Sequence, residues 1–278
     1  MKTRMWINLL GLALLLLTFP ALHTMRTAVH SERVFHNSRV SPIIFIPGSS
    51  ASQDRFDDLF RTFNHPKSKH SILKITVDTK NQIHHQGVIA ARDRQPLIVI
   101  AFQNNHDGYT NIAHQTQWLQ TAMNYLTNKY NFNNFYAIGH SNGGLNWTWY
   151  LEKYFNSNNL TVNALMTIGT PYNSLESNFK NQTAIFRQLY QHRQKLPHNM
   201  IVYSIAGTTN YENDGIVPYQ SVEAAKYIFQ KQVRKYTQIT VTGHESNHSS
   251  LLANPEVARL IQSNILDSNL NNPNIKKP

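Results

Sequence analysis

Residues 135–138 (Phe-Tyr-Ala-Ile) run without a break into Gly139-His140-Ser141-Asn142-Gly143, and a helical pattern follows at once. Few local patterns constrain a chain as strongly. An apolar strand ending in G-x-S-x-G and continuing as a helix puts the serine on a tight corner, with its hydroxyl raised above a sheet. The flanking glycines leave room for a crossing backbone. The helix that begins there points its first N–H groups at any negative charge developing on the serine's reaction partner. Gly144 adds space for close packing of helix on strand. The bare motif is frequent in ordinary turns, so its weight comes from the strand before it and the helix after it.

The rest of the chain has the same rhythm. Short apolar, β-branched runs at 43–46, 72–77, 97–102, 163–168, 200–206 and 237–242 predict buried strands, and helical spacing predicts helices over 111–130, 145–155, 183–195, 221–230 and 256–266. Strands that are apolar throughout and alternate with helices imply one α/β domain over residues 41–268, a mostly parallel sheet covered on both faces. Residues 172–197, between two strands, are a candidate lid, and 269–278 a polar tail. The aromatic group Trp147, Trp149, Tyr150, Tyr154 and Phe155 has the spacing of core packing rather than of a ligand platform.

Lys2 and Arg4 precede an apolar stretch from Met5 to Leu22 with the leucine-rich centre of a signal segment. The following residues, Ala21-Leu22-His23-Thr24-Met25-Arg26, offer no good pair of small residues for cleavage. Residues 1–28 are therefore expected to be an uncleaved signal anchor rather than a removed peptide, with residues 29–40 a polar tether and the domain on the outer side of the membrane. The formal charge is +11, which suits an anionic polymer or headgroup. The bases are scattered, and no nucleic-acid-binding signature accompanies them, so a nucleic-acid partner is not expected. The chain has no cysteine, which removes thiol nucleophiles and thiolate metal sites. No cofactor or metal is called for.

A serine needs a base to take its proton and an acid to orient that base. On a sheet of this kind the acid follows a late strand and the histidine lies just before the last helix. Asp214, in Asn213-Asp214-Gly215-Ile216-Val217-Pro218, is the expected acid, with Glu212 its competitor. His248, in His248-Ser249-Ser250-Leu251 ahead of Asn254-Pro255-Glu256, is the expected base, in preference to His244 at the strand end. His140 is expected to be structural and to point away from the serine. The tetrahedral intermediate of acyl transfer also needs two backbone donors. One is expected from Asn142, the other from the Gly48-Ser49-Ser50 loop after the first strand, at Ser49 or else at Ser50.

These segments together, with Ile168-Gly169-Thr170-Pro171-Tyr172-Asn173, resemble the DUF915 alpha/beta hydrolases, cell-surface hydrolases of Gram-positive bacteria such as lactobacilli. The likeness covers roughly residues 41–266. The chain departs from the usual pattern in one place, with Pro47-Gly48 where such proteins usually carry His-Gly, although the glycine is kept. The resemblance implies an α/β-hydrolase fold, Ser141, Asp214 and His248 as a triad, and hydrolysis of a small or lipid-like carboxylic ester. Acyl transfer on the same frame and a non-catalytic surface-binding module are the competing expectations.

Overall fold

The apolar runs pair into one eight-stranded sheet in the order β3-β2-β4-β1-β5-β6-β7-β8. The computed structural model describes Thr18 and residues 38–65 and 69–268. The expected signal anchor and polar tail, and nearly all of the tether, lie outside the described residues. Among the described residues no helix is long and apolar enough to cross a membrane.

The strands are β1 (Ile43–Ile46), β2 (Ile72–Val77), β3 (Ile83–Gly87), β4 (Leu97–Phe102), β5 (Asn134–His140), β6 (Thr161–Ile168), β7 (Ile201–Thr208) and β8 (Lys235–Thr242). All neighbouring pairs are parallel except β2 with β3. Burial follows position in the sheet. The central strands β1, β4 and β5 are buried at every residue, β2 alternates, and the edge strands β3 and β8 are largely open. A strand needs apolar residues at every position only when both of its faces are covered.

The pleat distributes those residues between two cores. Ile44, Ile46, Ile98, Ile100, Phe135 and Ala137 face one cluster, and Ile43, Phe45, Leu97, Val99, Tyr136 and Ile138 face the other. The first cluster is closed by α2 (Tyr109–Tyr130), α3 (Asn142–Lys153), α4 (Ala184–His192) and α6 (Ala225–Phe229); the second by α1 (Asp57–Phe63) and α7 (Pro255–Ile261). The fold is that of the α/β hydrolases, as expected.

The differences from expectation have local causes. The edge strand β3 reads Ile-His-His-Gln-Gly and carries no apolar signal; it forms because the Asp78 carboxylate accepts from the N–H groups of Lys80 and Gln82 and closes a hairpin onto β2. Helix α1 is short and follows a polar loop, and it is held by Phe56 and Phe60 against Phe45, with ring centroids 5.0 and 4.8 Å apart. The single helix expected over 221–230 is two short ones, α5 (Tyr219–Glu223) and α6, meeting at Ala224. The last helix begins where Asn254 caps it through the N–H groups of Glu256 and Val257, with Pro255 at its first position.

Residues 172–197, the candidate lid, pack on the core, and none of them lines the cavity at Ser141. Helix α4 is amphipathic and buries Ile185, Phe186 and Leu189 in the core shared with α3, and the Asn173 side chain accepts from the Thr183 N–H and folds the loop back on itself. The aromatic group on α3 is packing too: Trp147, Trp149 and Tyr150 are buried, and Trp147 Nε1 donates to the Ile138 carbonyl at 3.1 Å.

Glu152 on α3 is buried, and neither carboxylate oxygen has a partner among the described residues. Burial holds its pKa well above the ordinary 4.5, with Lys195 opposing weakly. The folded protein therefore keeps a proton that the unfolded chain releases, and stability falls as pH climbs above 4.5 toward the raised folded value. Glu152→Gln is expected to remove this slope. Its thermal midpoint should exceed that of the parent at about pH 8 by several degrees, at roughly 2–4 °C per kcal/mol, and by less at about pH 5. Parallel melting curves across that range would refute the assignment.

Candidate active site

Strand β5 delivers Ser141 to a corner with φ 54° and ψ −129°, outside the regions that a residue with a Cβ prefers. Such a conformation costs on the order of 1–3 kcal/mol and persists only if its surroundings fix it. They do so through the main chain. The Ser141 N–H donates to the Ile168 carbonyl at 2.8 Å, and the Gly144 N–H donates to the Ser141 carbonyl at 3.0 Å.

Glycine is required where the chains cross. A Cβ on Gly143 would stand 2.1 Å from the Ile46 carbonyl oxygen, and one on Gly48 would stand 2.6 Å from Ser141 Cβ. Both distances are below any real contact, so the corner, the end of β1 and the loop after it interlock only without these side chains.

From the corner a hydrogen-bonded line leads inward. His248 Nε2 lies 2.9 Å from Ser141 Oγ, and His248 Nδ1 lies 2.7 Å from Asp214 Oδ2. The other Asp214 oxygen accepts from the N–H groups of Val217 at 2.7 Å and Ile216 at 3.1 Å, so the Asp-Gly turn aims and satisfies a carboxylate that is almost fully buried. The main chain repeats the link, since the His248 N–H donates to the Asp214 carbonyl at 2.7 Å. Ser246 Oγ bonds the Thr208 carbonyl at the end of β7, and Asn254 Nδ2 bonds the His244 carbonyl, which fastens the His248 loop on both sides. The competing candidates lie elsewhere: Glu212 is exposed, and the side chain of His244 is almost entirely in solvent.

The two expected backbone donors flank Ser141. Neither the Ser49 nor the Asn142 N–H meets an acceptor among the described residues, whereas the Ser50 N–H is taken by the Asn105 carbonyl at 3.0 Å. This leaves Ser49 rather than Ser50 free to face a ligand. Asn142 Nδ2 also donates to Ser49 Oγ at 2.6 Å and clasps the two donor segments together, a contact that spacing does not reveal.

His140 departs from expectation. It does not point away from the site: its ring centroid is 5.0 Å from that of His248, and its Nε2 donates to the His248 carbonyl at 3.1 Å. Burial above all, then the nearby His248 and Arg55, hold its pKa down to about 3, so the ring is a neutral prop beneath the base.

Ser141, His248 and His140 open on a cavity of about 420 Å³ whose other wall is the serine-rich loop 48–52 with Asp54, Arg55, Ile216 and Ser249. No residue of 172–197 lines it. Among the described residues no group of three His, Asp or Glu side chains is placed to hold a metal ion.

Residues 30–268 match the family described as alpha/beta hydrolase of unknown function, DUF915. The chain belongs to this family. Among solved structures it is similar to a candidate cell-surface hydrolase from Lactobacillus plantarum, at 48% identity over 84% of this chain and 92% of that one, with a TM-score of 0.74. A gene product of Listeria innocua gives the same TM-score at 27% identity, over 80% of this chain and 92% of that one. Est1E from Butyrivibrio proteoclasticus, at 14% identity and a TM-score of 0.50 over 84% of this chain and 90% of that one, shares the fold alone. No curated protein matches the chain.

The crossing at Gly143 sets a measurable cost. In Gly143→Ala the added methyl meets a backbone carbonyl that cannot rotate away. Overpacking typically costs about 1–3 kcal/mol, and a clash with main chain belongs at the upper end, about 3 kcal/mol or roughly 6–12 °C of thermal midpoint for a domain of this size. A midpoint within about 2 °C of the parent would show that the crossing tolerates a Cβ.

Proposed function

We propose that the chain is a serine hydrolase that cleaves carboxylic esters through an acyl-enzyme on Ser141. The observation that carries this reading is the unbroken line from Asp214 through His248 to Ser141 Oγ, ending at an open cavity with two unengaged backbone N–H groups beside it. A structural serine has no need of a strained corner, and a histidine bonded on both sides by an acid and a hydroxyl is arranged to move a proton.

The steps follow from the geometry. His248 Nε2 takes the Ser141 hydroxyl proton as Oγ bonds the ester carbonyl carbon, while Asp214 holds Nδ1–H and steadies the charged ring. The carbonyl oxygen becomes an oxyanion facing the N–H groups of Ser49 and Asn142, where preorganised donors are typically worth about 3–4 kcal/mol each. The C–O bond to the alcohol breaks and His248 returns the proton to the leaving oxygen. Water then repeats the sequence on the acyl-serine, giving the acid and restoring Ser141. His140 takes no proton in this scheme; its bond to the His248 carbonyl fixes the height of the base.

We place the enzyme outside the cell, held by residues 1–28. The apolar run after Lys2 and Arg4 supports this placement, as does the likeness to a candidate cell-surface hydrolase.

A fluorophosphonate probe is expected to label the purified protein and to leave Ser141→Ala unlabelled. Asp214→Asn should retain its fold and lose roughly 10³–10⁴-fold in kcat on a 4-nitrophenyl ester, the scale of losing the acid that sets the imidazole tautomer. Labelling that persists in Ser141→Ala, or full turnover in Asp214→Asn, overturns the proposal.

A further inference from the structure

Arg55 is a charged side chain that the proposed reaction leaves unused. It lies just before α1, in a polar stretch with no helical or strand pattern of its own, yet it lines the cavity together with Ser141 and His248. Its guanidinium donates to the carbonyl of Ser249, the residue after His248, and is therefore anchored at the cavity wall rather than swinging in solvent. No carboxylate among the described residues pairs with it. Asp54 is the one carboxylate among the lining residues besides which Arg55 sits, and its oxygen is held by Lys74 Nζ at 2.7 Å.

The guanidinium is also partly stripped of water. Burial lowers its pKa, and its charge reaches far enough inward to help hold His140 neutral. A half-desolvated cation with no carboxylate partner among the described residues carries an uncompensated desolvation cost, and its planar fork matches a carboxylate or phosphate. The rest of the wall is the serine-rich loop with Ala51, and Ile216 adds a larger apolar side chain. In a mixed lining of this kind, a placed cation such as Arg55 is what fixes the orientation of a ligand.

We infer that the natural substrate is an ester bearing an anionic group, a carboxylate or a phosphate, that docks on Arg55 while its carbonyl sits at Ser141. This rests on the esterase reading above and adds the substrate class. The anion can belong to the acyl part or to the leaving alcohol, and the two are separable by experiment.

The test compares matched pairs. On the acyl side, the 4-nitrophenyl monoester of adipate is set against 4-nitrophenyl hexanoate; on the alcohol side, 1-butyrylglycerol 3-phosphate against 1-butyrylglycerol. One anionic member is expected to be preferred in kcat/KM by roughly tenfold to a hundredfold, the range of a charge-assisted hydrogen bond. The preferred arm identifies which part of the ester carries the charge. In Arg55→Met the preference should collapse, chiefly through KM, and in Arg55→Lys it should survive in part. Melting curves of both variants exclude a general loss of fold.

Binding to Ser141→Ala, measured by calorimetry with the same four esters, separates the two proposals. Tighter binding of an anionic ester that disappears on adding Arg55→Met supports the Arg55 site whether or not the parent turns over. Equal binding and equal turnover of charged and neutral members, or a preference untouched by Arg55→Met, overturns it. Turnover of the neutral esters in that case leaves the esterase reading standing alone.

Discussion

The structure depends on a crossing of main chains at Ser141. The corner after β5, the end of β1 and the loop that follows β1 approach so closely that no Cβ fits at Gly143 or Gly48. The unfavourable backbone of Ser141 is held there by hydrogen bonds from neighbouring segments, so the local cost is offset by the sheet. Three features of the serine go with that contact: a hydroxyl that opens on the cavity, a helix start directly after it, and two N–H groups, of Ser49 and Asn142, without an acceptor among the described residues. The glycines act here through the space they leave. Neither is needed for a positive φ.

Around this crossing the polar groups are graded by burial. Asp214 is nearly sealed and accepts from Ile216, Val217 and His248, His248 is bonded on both ring nitrogens, and Ser141 and His248 line the cavity. The buried Asp214 carboxylate accepts from two backbone N–H groups and the His248 ring, in contrast with Glu152 on the same sheet's helix layer, which has no such partners and whose pKa burial holds up. The same chemical group therefore meets two environments within one domain, and the difference lies in whether a turn supplies N–H groups to it.

Much of this was legible in the sequence because parallel strands covered on both faces leave an unmistakable record. The runs at 43–46, 72–77 and 97–102 match β1, β2 and β4 residue for residue, since β1 and β4 need apolar side chains on both faces and β2 buries one face. Ser141, Asp214 and His248 were legible from chain order and from glycine and turn chemistry. What escaped has a common feature: it is defined by long-range contact. The strand β3 is polar because its edge faces water, and only its hairpin identifies it. His140 props the base across more than a hundred residues of chain, the Asn142–Ser49 clasp joins two distant turns, and Arg55 reaches the cavity from a stretch with no periodicity. The amphipathic pattern of 183–195 was correctly helical, but a pattern says which face is apolar and not what it lies against; here it lies on α3.

The direction of β1 has a consequence for how the domain is displayed. Residues 38–42 enter at the start of β1, where the Ser41 N–H is bound by the Arg94 carbonyl, and Gly48 bounds the cavity just beyond the other end. The strand is four residues long, so about 13 Å of sheet separates entrance from workplace. Residues 38–42 therefore join the domain at the end of β1 opposite the cavity. An attachment made through residues 38–42 leaves the mouth of the cavity uncovered by them.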